Sequence, residues 1–290
     1  MNPNLVILAG GVSSRMKKVA PVPEGMDAGL LNEAGEKSKS MLGVGPGGRP
    51  FLDYLIYNAR EAGYADLVIV IGKNDGGIRA RYGSAMQDNE FHGVRISYAV
   101  QAVPGGRTKP PGTADALLCA LRVRADWGGK KFTVCNSDNL YSQGVLKQLL
   151  ETGHPGALID YDRDALRFAQ SKIGQFAVLE KDSDGYLTGI IEKPSPEEIM
   201  RVRDASGRVG VSMNIFRFSY DSVIGFLEEV PLHPARQEKE LPAAVALMVR
   251  RNPRSVMTIP VSEYVPDLTG RGDIGAVQEY LRDHSPVDPF

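Results

Sequence analysis

The chain has 290 residues, 42% of them hydrophobic, and a formal net charge of −1. This length suffices to bury a sizeable core in one large α/β domain or two small ones. The near-neutral balance excludes a global pull toward nucleic acid or anionic membranes, so any anion-binding site must be local.

The first predicted element is a buried strand over Leu5 to Ala9, an apolar run too short to span a bilayer and without a basic segment before it, which predicts neither a signal peptide nor a membrane span. It runs into Gly10, Gly11 and small polar residues and ends at Arg15 and Met16 (LVILAGGVSSRM). A strand that delivers a side-chain-poor loop with a cation at its far end brings backbone N–H groups and a positive charge to phosphates. The alternative is a plain glycine turn with a surface arginine. No third glycine follows at G-x-G-x-x-G spacing and no helix is expected before the Gly/Pro/Lys stretch beyond Met16, which argues against a dinucleotide fold.

Residues 17–37, rich in Gly, Pro, Glu and Lys, are expected to be irregular, either a lid or a solvated loop. Next come Lys39, a Gly/Pro turn, a helix over Phe51 to Ala62 closing on Gly63, and strands at Leu67 to Ile71 and Arg95 to Ala99. Val103 to Pro111 is a second irregular insertion, followed by a helix at Thr113 to Ala125 and a strand at Phe132 to Cys135. This alternation predicts an α/β fold: a Rossmann-like mixed, mostly parallel sheet flanked by helices, with ligands at the carboxyl ends of the strands. After about Gly156 short strands are expected in ALID, QFAVLE, YLTGIIE and VGVSMNIFRF. Helices at Tyr220 to Glu229 and Leu241 to Val249, a strand at Val256 to Pro260 and a helix at Ile274 to Arg282 complete the chain. Cys119 and Cys135 lack metal-ligand spacing and predict buried thiols in a reducing cytoplasm, and the scattered histidines argue against a histidine metal site or triad.

Several polar residues stand where chemistry is expected. Gln101 ends a strand, and Gly112-Thr113-Ala114-Asp115-Ala116 opens a helix with small residues whose free N–H groups suit a base or phosphate edge, although Thr113 could be only an N-cap. Asp138, after the strand ending at Cys135, faces the expected crevice, where a carboxylate is costly unless it meets a cation; the alternative is a helix cap near Ser142. Glu192 and Lys193 end a strand before Pro194, Asn214 interrupts an apolar one, and Asp267 and Asp273 precede the last helix.

The order of L-A-G-G-x-x-x-R-M, then K-S-M-L, a turn and an amphipathic helix resembles the nucleotidyltransferases that make nucleotide sugars, such as bacterial UDP-glucose pyrophosphorylases and glucose-1-phosphate thymidylyltransferases. The first motif is also similar to molybdenum-cofactor guanylyltransferases. The resemblance runs from about residue 4 to 282. It implies one domain over 1–290, with a nucleotide-binding half to about residue 155 and a sugar-phosphate-binding half from about 156. The activity it implies is condensation of a nucleoside triphosphate with a sugar 1-phosphate to give an NDP-sugar and pyrophosphate, with Mg²⁺ as cofactor. By the same resemblance Arg15 and Lys39 are catalytic cations on the triphosphate; Leu8, Ala9, Gly10, Gly11, Gln101, Gly112 and Thr113 surround the nucleotide; Asn139, Glu192, Lys193 and Asn214 meet the sugar phosphate; and Asp138 and Asp267 hold the metal, Asp267 being preferred to Asp273. Two departures stand out. Gln101 lies farther from the glycine than in most members, and the turn after Asp267 reads Leu-Thr-Gly-Arg-Gly. The rival readings are a cytidylyl- or guanylyltransferase acting on a non-sugar phosphate or phosphonate, and a catalytically silent nucleotide-sugar-binding protein. Neither nucleic acid nor membrane is an expected partner; the base, the sugar and the oligomeric state stay open.

Overall fold

Leu5, Val6 and Ile7 are all fully buried, yet alternate residues of their strand enter different layers: Leu5 and Ile7 join one apolar cluster and Val6 the other. Leu67, Ile69 and Ile71 likewise separate from Val68 and Val70. Successive side chains of a strand point to opposite faces, so an uninterrupted apolar run is what a sheet covered on both sides requires. The structure, a computed structural model, describes residues 2–11, 16, 28–73 and 75–290, without the side chains of residues 28, 31, 32, 36, 170 and 171.

The strands of the described residues are β1 (Asn4–Leu8), β2 (Asp66–Gly72), β3 (Asn89–Phe91), β4 (Val94–Gln101), β5 (Lys131–Asn136), β6 (Gly156–Asp162), β7 (Val178–Lys181), β8 (Leu187–Ile191), β9 (Gly210–Val211), β10 (Ile215–Ser219) and β11 (Met257–Val261). They form one mixed, mostly parallel sheet in the order β3-β4-β2-β1-β5-β10-β6-β9-β7-β8, with β11 parallel to β6. Strands β4, β2, β1 and β5 run parallel. The carboxyl ends of these four strands therefore open on one edge.

Helices cover both faces. On one side lie α1 (Ala28–Glu36), α2 (Phe51–Glu61), α3 (Gly76–Tyr82), α5 (Gln143–Glu151) and α10 (Ile274–His284); on the other lie α4 (Thr113–Val123), α8 (Tyr220–Glu229) and α9 (Leu241–Arg251). Two short helices, α6 (Gln170–Ile173) and α7 (Pro196–Arg201), sit in the second half.

Four expectations are corrected. Residues 28–36, expected to be irregular, are helical: AGLLNEAGE is rich in strong helix formers, and Leu30 and Ala34, one turn apart, both enter the core. Met16, where no helix was expected, is helical and fully buried. The helix expected to reach Ala125 ends at Val123, and Ala125–Trp127 forms a separate turn because the Arg124 backbone leaves the helical region. The single strand expected over 209–218 breaks into β9 and β10, because Asn214 takes a left-handed φ of 55°, which its short polar side chain tolerates.

The amino-terminal edge of the parallel block is closed by ion pairs the sequence did not announce. Asp66, the first residue of β2, accepts two hydrogen bonds from Arg124, at 2.5 and 2.6 Å, and one from Arg95 at 2.8 Å. Burial tends to raise the Asp66 pKa, but these two guanidinium groups outweigh it and hold the carboxyl below its ordinary value of 3.8. A depressed folded pKa means stability that is present at neutral pH and lost as the pH falls below about 4 and through the folded pKa. Arg124→Ala should therefore cost about 1–3 kcal/mol at neutral pH by leaving a buried carboxylate with Arg95 as its one remaining guanidinium partner, and Asp66→Asn should flatten the loss of stability on acidification. Urea midpoints at neutral and acid pH check both; a wild-type slope in Asp66→Asn would contradict the assignment.

Candidate nucleotide site

The open edge of the parallel block is where the small residues gather. Ala9 N–H donates to the Val70 carbonyl at 2.9 Å and Ser137 N–H to the Leu8 carbonyl at 3.2 Å, so the loops after β1 and β5 leave the sheet side by side. Between them lies a cavity of about 500 Å³ lined by Leu8, Ala9, Gly10, Gly11, Lys39, Gln101, Gly112, Thr113 and Asp138. Of the residues the sequence assigned to the nucleotide and to catalysis, all but Arg15 line this cavity; Arg15 lies outside the described residues.

Lys39 stands on a single helical turn, Lys39–Met41, and its ammonium pairs with Asp138 Oδ2. Asp138 is in turn joined to a distant segment: the Leu268 N–H donates to the Asp138 carbonyl at 2.7 Å and the Leu140 N–H to the Pro266 carbonyl at 3.0 Å. This short antiparallel bridge sets Asn139 opposite Asp267. Burial first, and then the neighbouring Asp138 charge, push the Asp267 carboxyl up, against the opposing pull of Lys172 and of the Thr269 hydroxyl. Lys172 Nζ lies 3.2 Å from Asp267, and Thr269, whose hydroxyl donates to Asp267, lines the cavity. Asp273 is committed elsewhere, accepting from the Thr269 and Gly270 N–H groups at 3.1 and 2.7 Å and pairing with Lys172 at 2.7 Å. Three carboxylates and two ammonium groups thus meet at the carboxyl edge of the sheet.

A profile of the nucleotidyl transferase family matches residues 34–285. The chain belongs to that family. A low-salt glycan biosynthesis nucleotidyltransferase of Haloferax volcanii is 28% identical over 191 residues, 65% of this chain and 44% of that protein. The chain spans less than half the length of the curated relatives it matches. Its fold is that of UDP-glucose pyrophosphorylase in complex with UDP-glucose, with a TM-score of 0.70 at 18% identity over 98% of this chain and 100% of that one. The UTP-bound UGPase of Acinetobacter baumannii superposes equally well, at 0.70 and 18% identity over 99% and 96% of the two chains.

The residues assigned to the sugar phosphate do not gather around one cavity. Glu192 lines a second one, of about 370 Å³, with His233, Arg236, Glu240 and Arg250. Burial raises its pKa, opposed by Arg236 and reinforced by Glu240. Arg236, paired with Glu240, also lines the first cavity and so separates the two. Lys193, exposed and at a left-handed φ of 48°, and Asn214 line neither cavity. Asn214 instead neighbours Asn139 through Tyr141, whose hydroxyl donates to the Met213 carbonyl at 2.7 Å and lies 3.4 Å from Asn139 Oδ1.

Sequence reasoning missed Lys172, Thr269, Arg236 and Asp115. Asp115 was visible beside Gly112 and Thr113, but a helix's first turn is an ordinary place for an acid. The same segment serves as a joint. Lys239 N–H donates to the Pro111 carbonyl at 2.6 Å, Ala114 N–H to the Lys239 carbonyl at 2.9 Å, and Leu241 N–H, at the start of α9, to Thr113 Oγ1 at 2.8 Å. A side chain on Gly112, at φ 120°, would put Cβ 2.3 Å from the Lys239 carbonyl oxygen, so glycine is required there. Thr113→Val should lower stability by about 1–2 kcal/mol without any nucleotide, because it orphans the Leu241 N–H. Chemical denaturation of the ligand-free chain measures this, and an unchanged midpoint would free Thr113 from its structural duty.

Proposed function

We propose that the protein condenses a nucleoside triphosphate with a sugar 1-phosphate to release pyrophosphate and an NDP-sugar. The observation that carries this reading is the convergence of the glycine loop after β1, Gln101, Lys39 and Asp138 on one cavity at the carboxyl edge of a family member's sheet, with Asp267 held beside it by the bridge to Asn139 and by the Thr269 hydroxyl. Such an edge is where α/β sheets bind ligands. Neither rival reading is favoured by any of the family or fold matches.

The donor set fits Mg²⁺. Asp138 and Asp267 offer hard carboxylate oxygens, and among the described residues no third His, Cys, Asp or Glu joins them, which leaves the remaining positions to phosphates and water, as Mg²⁺ prefers. Bound there, the ion would neutralise charge on the phosphates of both substrates. The chain's own residues do the rest by positioning. The sugar phosphate is already ionised and attacks the α-phosphorus in line, so no protein nucleophile is needed. Gly10, Gly11 and Gly112 let the backbone approach the nucleotide closely, Lys39, with Arg15, meets charge growing on the departing pyrophosphate, and the family resemblance, rather than a shared cavity, assigns Lys193 to the acceptor's phosphate and Asn139, Glu192 and Asn214 to the sugar. Free thiols at Cys119 and Cys135 suit the cytoplasm, and no helix among the described residues is long and apolar enough to cross a membrane.

Pyrophosphate release from UTP, dTTP, ATP, CTP and GTP against a panel of sugar 1-phosphates in Mg²⁺ tests the reading, and silence across the whole panel would reject it. Asp138→Asn and Asp267→Asn should each remove about 3 kcal/mol or more of transition-state stabilisation while Asp273→Asn should not. If Asp273→Asn is the crippling change, the second metal ligand is misassigned. Lys193→Ala should raise the sugar phosphate KM with nucleotide affinity nearly unchanged; calorimetry with the triphosphate alone decides, and loss of that binding would move Lys193 to the triphosphate side.

A further inference from the structure

Gln101 is buried at the carboxyl end of β4, and its Nε2 donates to two acceptors at once, the Gly112 carbonyl and Asp115 Oδ2, each at 2.8 Å. Turning the amide over would set its oxygen against a carbonyl and a carboxylate, two acceptor-to-acceptor contacts at a buried position, where an unmade hydrogen bond is most expensive. The amide therefore has a single orientation. Its Oε1 is left on the Gly10 side of the cavity, where a Cβ added to that glycine would stand 3.5 Å away, and no donor among the described residues bonds it.

We propose that Asp115 is a positioning residue for base selection: its carboxylate, the stronger of the two acceptors beside the Gly112 carbonyl, fixes Gln101 as an acceptor, so the site takes a triphosphate whose base offers a ring N–H to that oxygen. The inference rests on the nucleotidyltransferase reading above and narrows its substrate. Uracil, thymine and guanine carry a ring N–H in the middle of their pairing edge, whereas cytosine and adenine carry a lone pair there. Facing a fixed Oε1, that lone pair opposes another lone pair, and a site built to hydrogen-bond one group rejects the analogue lacking it. A glutamine free to turn would offer its NH₂ to cytosine or adenine instead and would discriminate little. Asp115 also stands in the first turn of α4, where an acid favours the helix dipole. That role alone moves stability and leaves selectivity untouched.

The test is equilibrium binding of UTP, CTP, GTP and ATP, each without sugar phosphate, to the full chain and its variants. The native chain should favour UTP over CTP, or GTP over ATP, by about tenfold, and Asp115→Ala should bring the ratio to within about threefold. Asp115→Asn, whose side-chain oxygen still accepts from Gln101, should keep the native ratio. Gln101→Met, which removes both faces of the amide, should also collapse the ratio and serves if Asp115→Ala does not fold. A native preference for CTP and ATP overturns the proposal, as does a native ratio retained by Asp115→Ala or by Gln101→Met. If the native chain binds none of the four, the nucleotidyltransferase reading falls and this one with it; an unchanged ratio with pyrophosphate release intact removes only the role of Asp115.

Discussion

Four parallel strands covered on both faces leave a protein only two edges at which polar chemistry can happen. In this chain β1, β2, β4 and β5 spend most of their side chains on two apolar layers, so the candidate functional groups come from the strands' last residues and from the loops that leave them. The two edges are treated oppositely. At the amino-terminal edge Asp66 is saturated by Arg124 and Arg95. At the carboxyl edge the end of β4 carries Gln101 and the loops carry glycines and Asp138, and together they enclose space. The fold thus directs ligands by satisfying one edge internally and leaving the other to be satisfied from outside.

That open edge is not complete in the first half of the chain. Asp267 reaches Asp138 only because residues 266–268 pair with residues 138–140, and the wall at Gly112 exists only because Lys239 sits where a side chain would be. Both joints are backbone hydrogen bonds, which hold position more rigidly than long side chains could. The start of α4 and the start of α9 share donors and acceptors across Thr113 and Lys239, so a displacement of the second half would shift the nucleotide cavity itself.

What could be read from the sequence follows from the range of the interaction involved. Strand and helix positions were legible because their signal is local: the LVIVI run at Leu67 to Ile71 and the spacing in FLDYLIYNAREA need no knowledge of distant residues. The glycine loop and Gln101 were legible as strand ends, and Lys39 only through the resemblance. Helix α1 was hidden by the Gly, Pro and Lys residues around it, and the break at Asn214 depends on one backbone angle. The ion pairs of Asp66, the bond between Gln101 and Asp115 and the approach of Lys172 to Asp267 join residues separated by long stretches of chain. No period or spacing encodes them, because they arise only when the sheet brings its loops together.

The charge arrangement at the edge also bears on the proposed pairing of phosphates with a divalent cation. Asp138 is paired with Lys39, while Lys172 is shared between Asp267 and Asp273, so three carboxylates meet only two ammonium groups within this cluster. Phosphates that drew these ammonium groups toward themselves would leave the Asp138 and Asp267 carboxylates facing each other, and burial together with Asp138 already raises the Asp267 pKa. Like charges at close range in a poorly solvated place are unfavourable by several kcal/mol unless a cation joins them. Under the proposed function, a polyanionic substrate and a hard cation would each be better accommodated in the presence of the other, which is the coupling a reaction between two phosphate compounds needs.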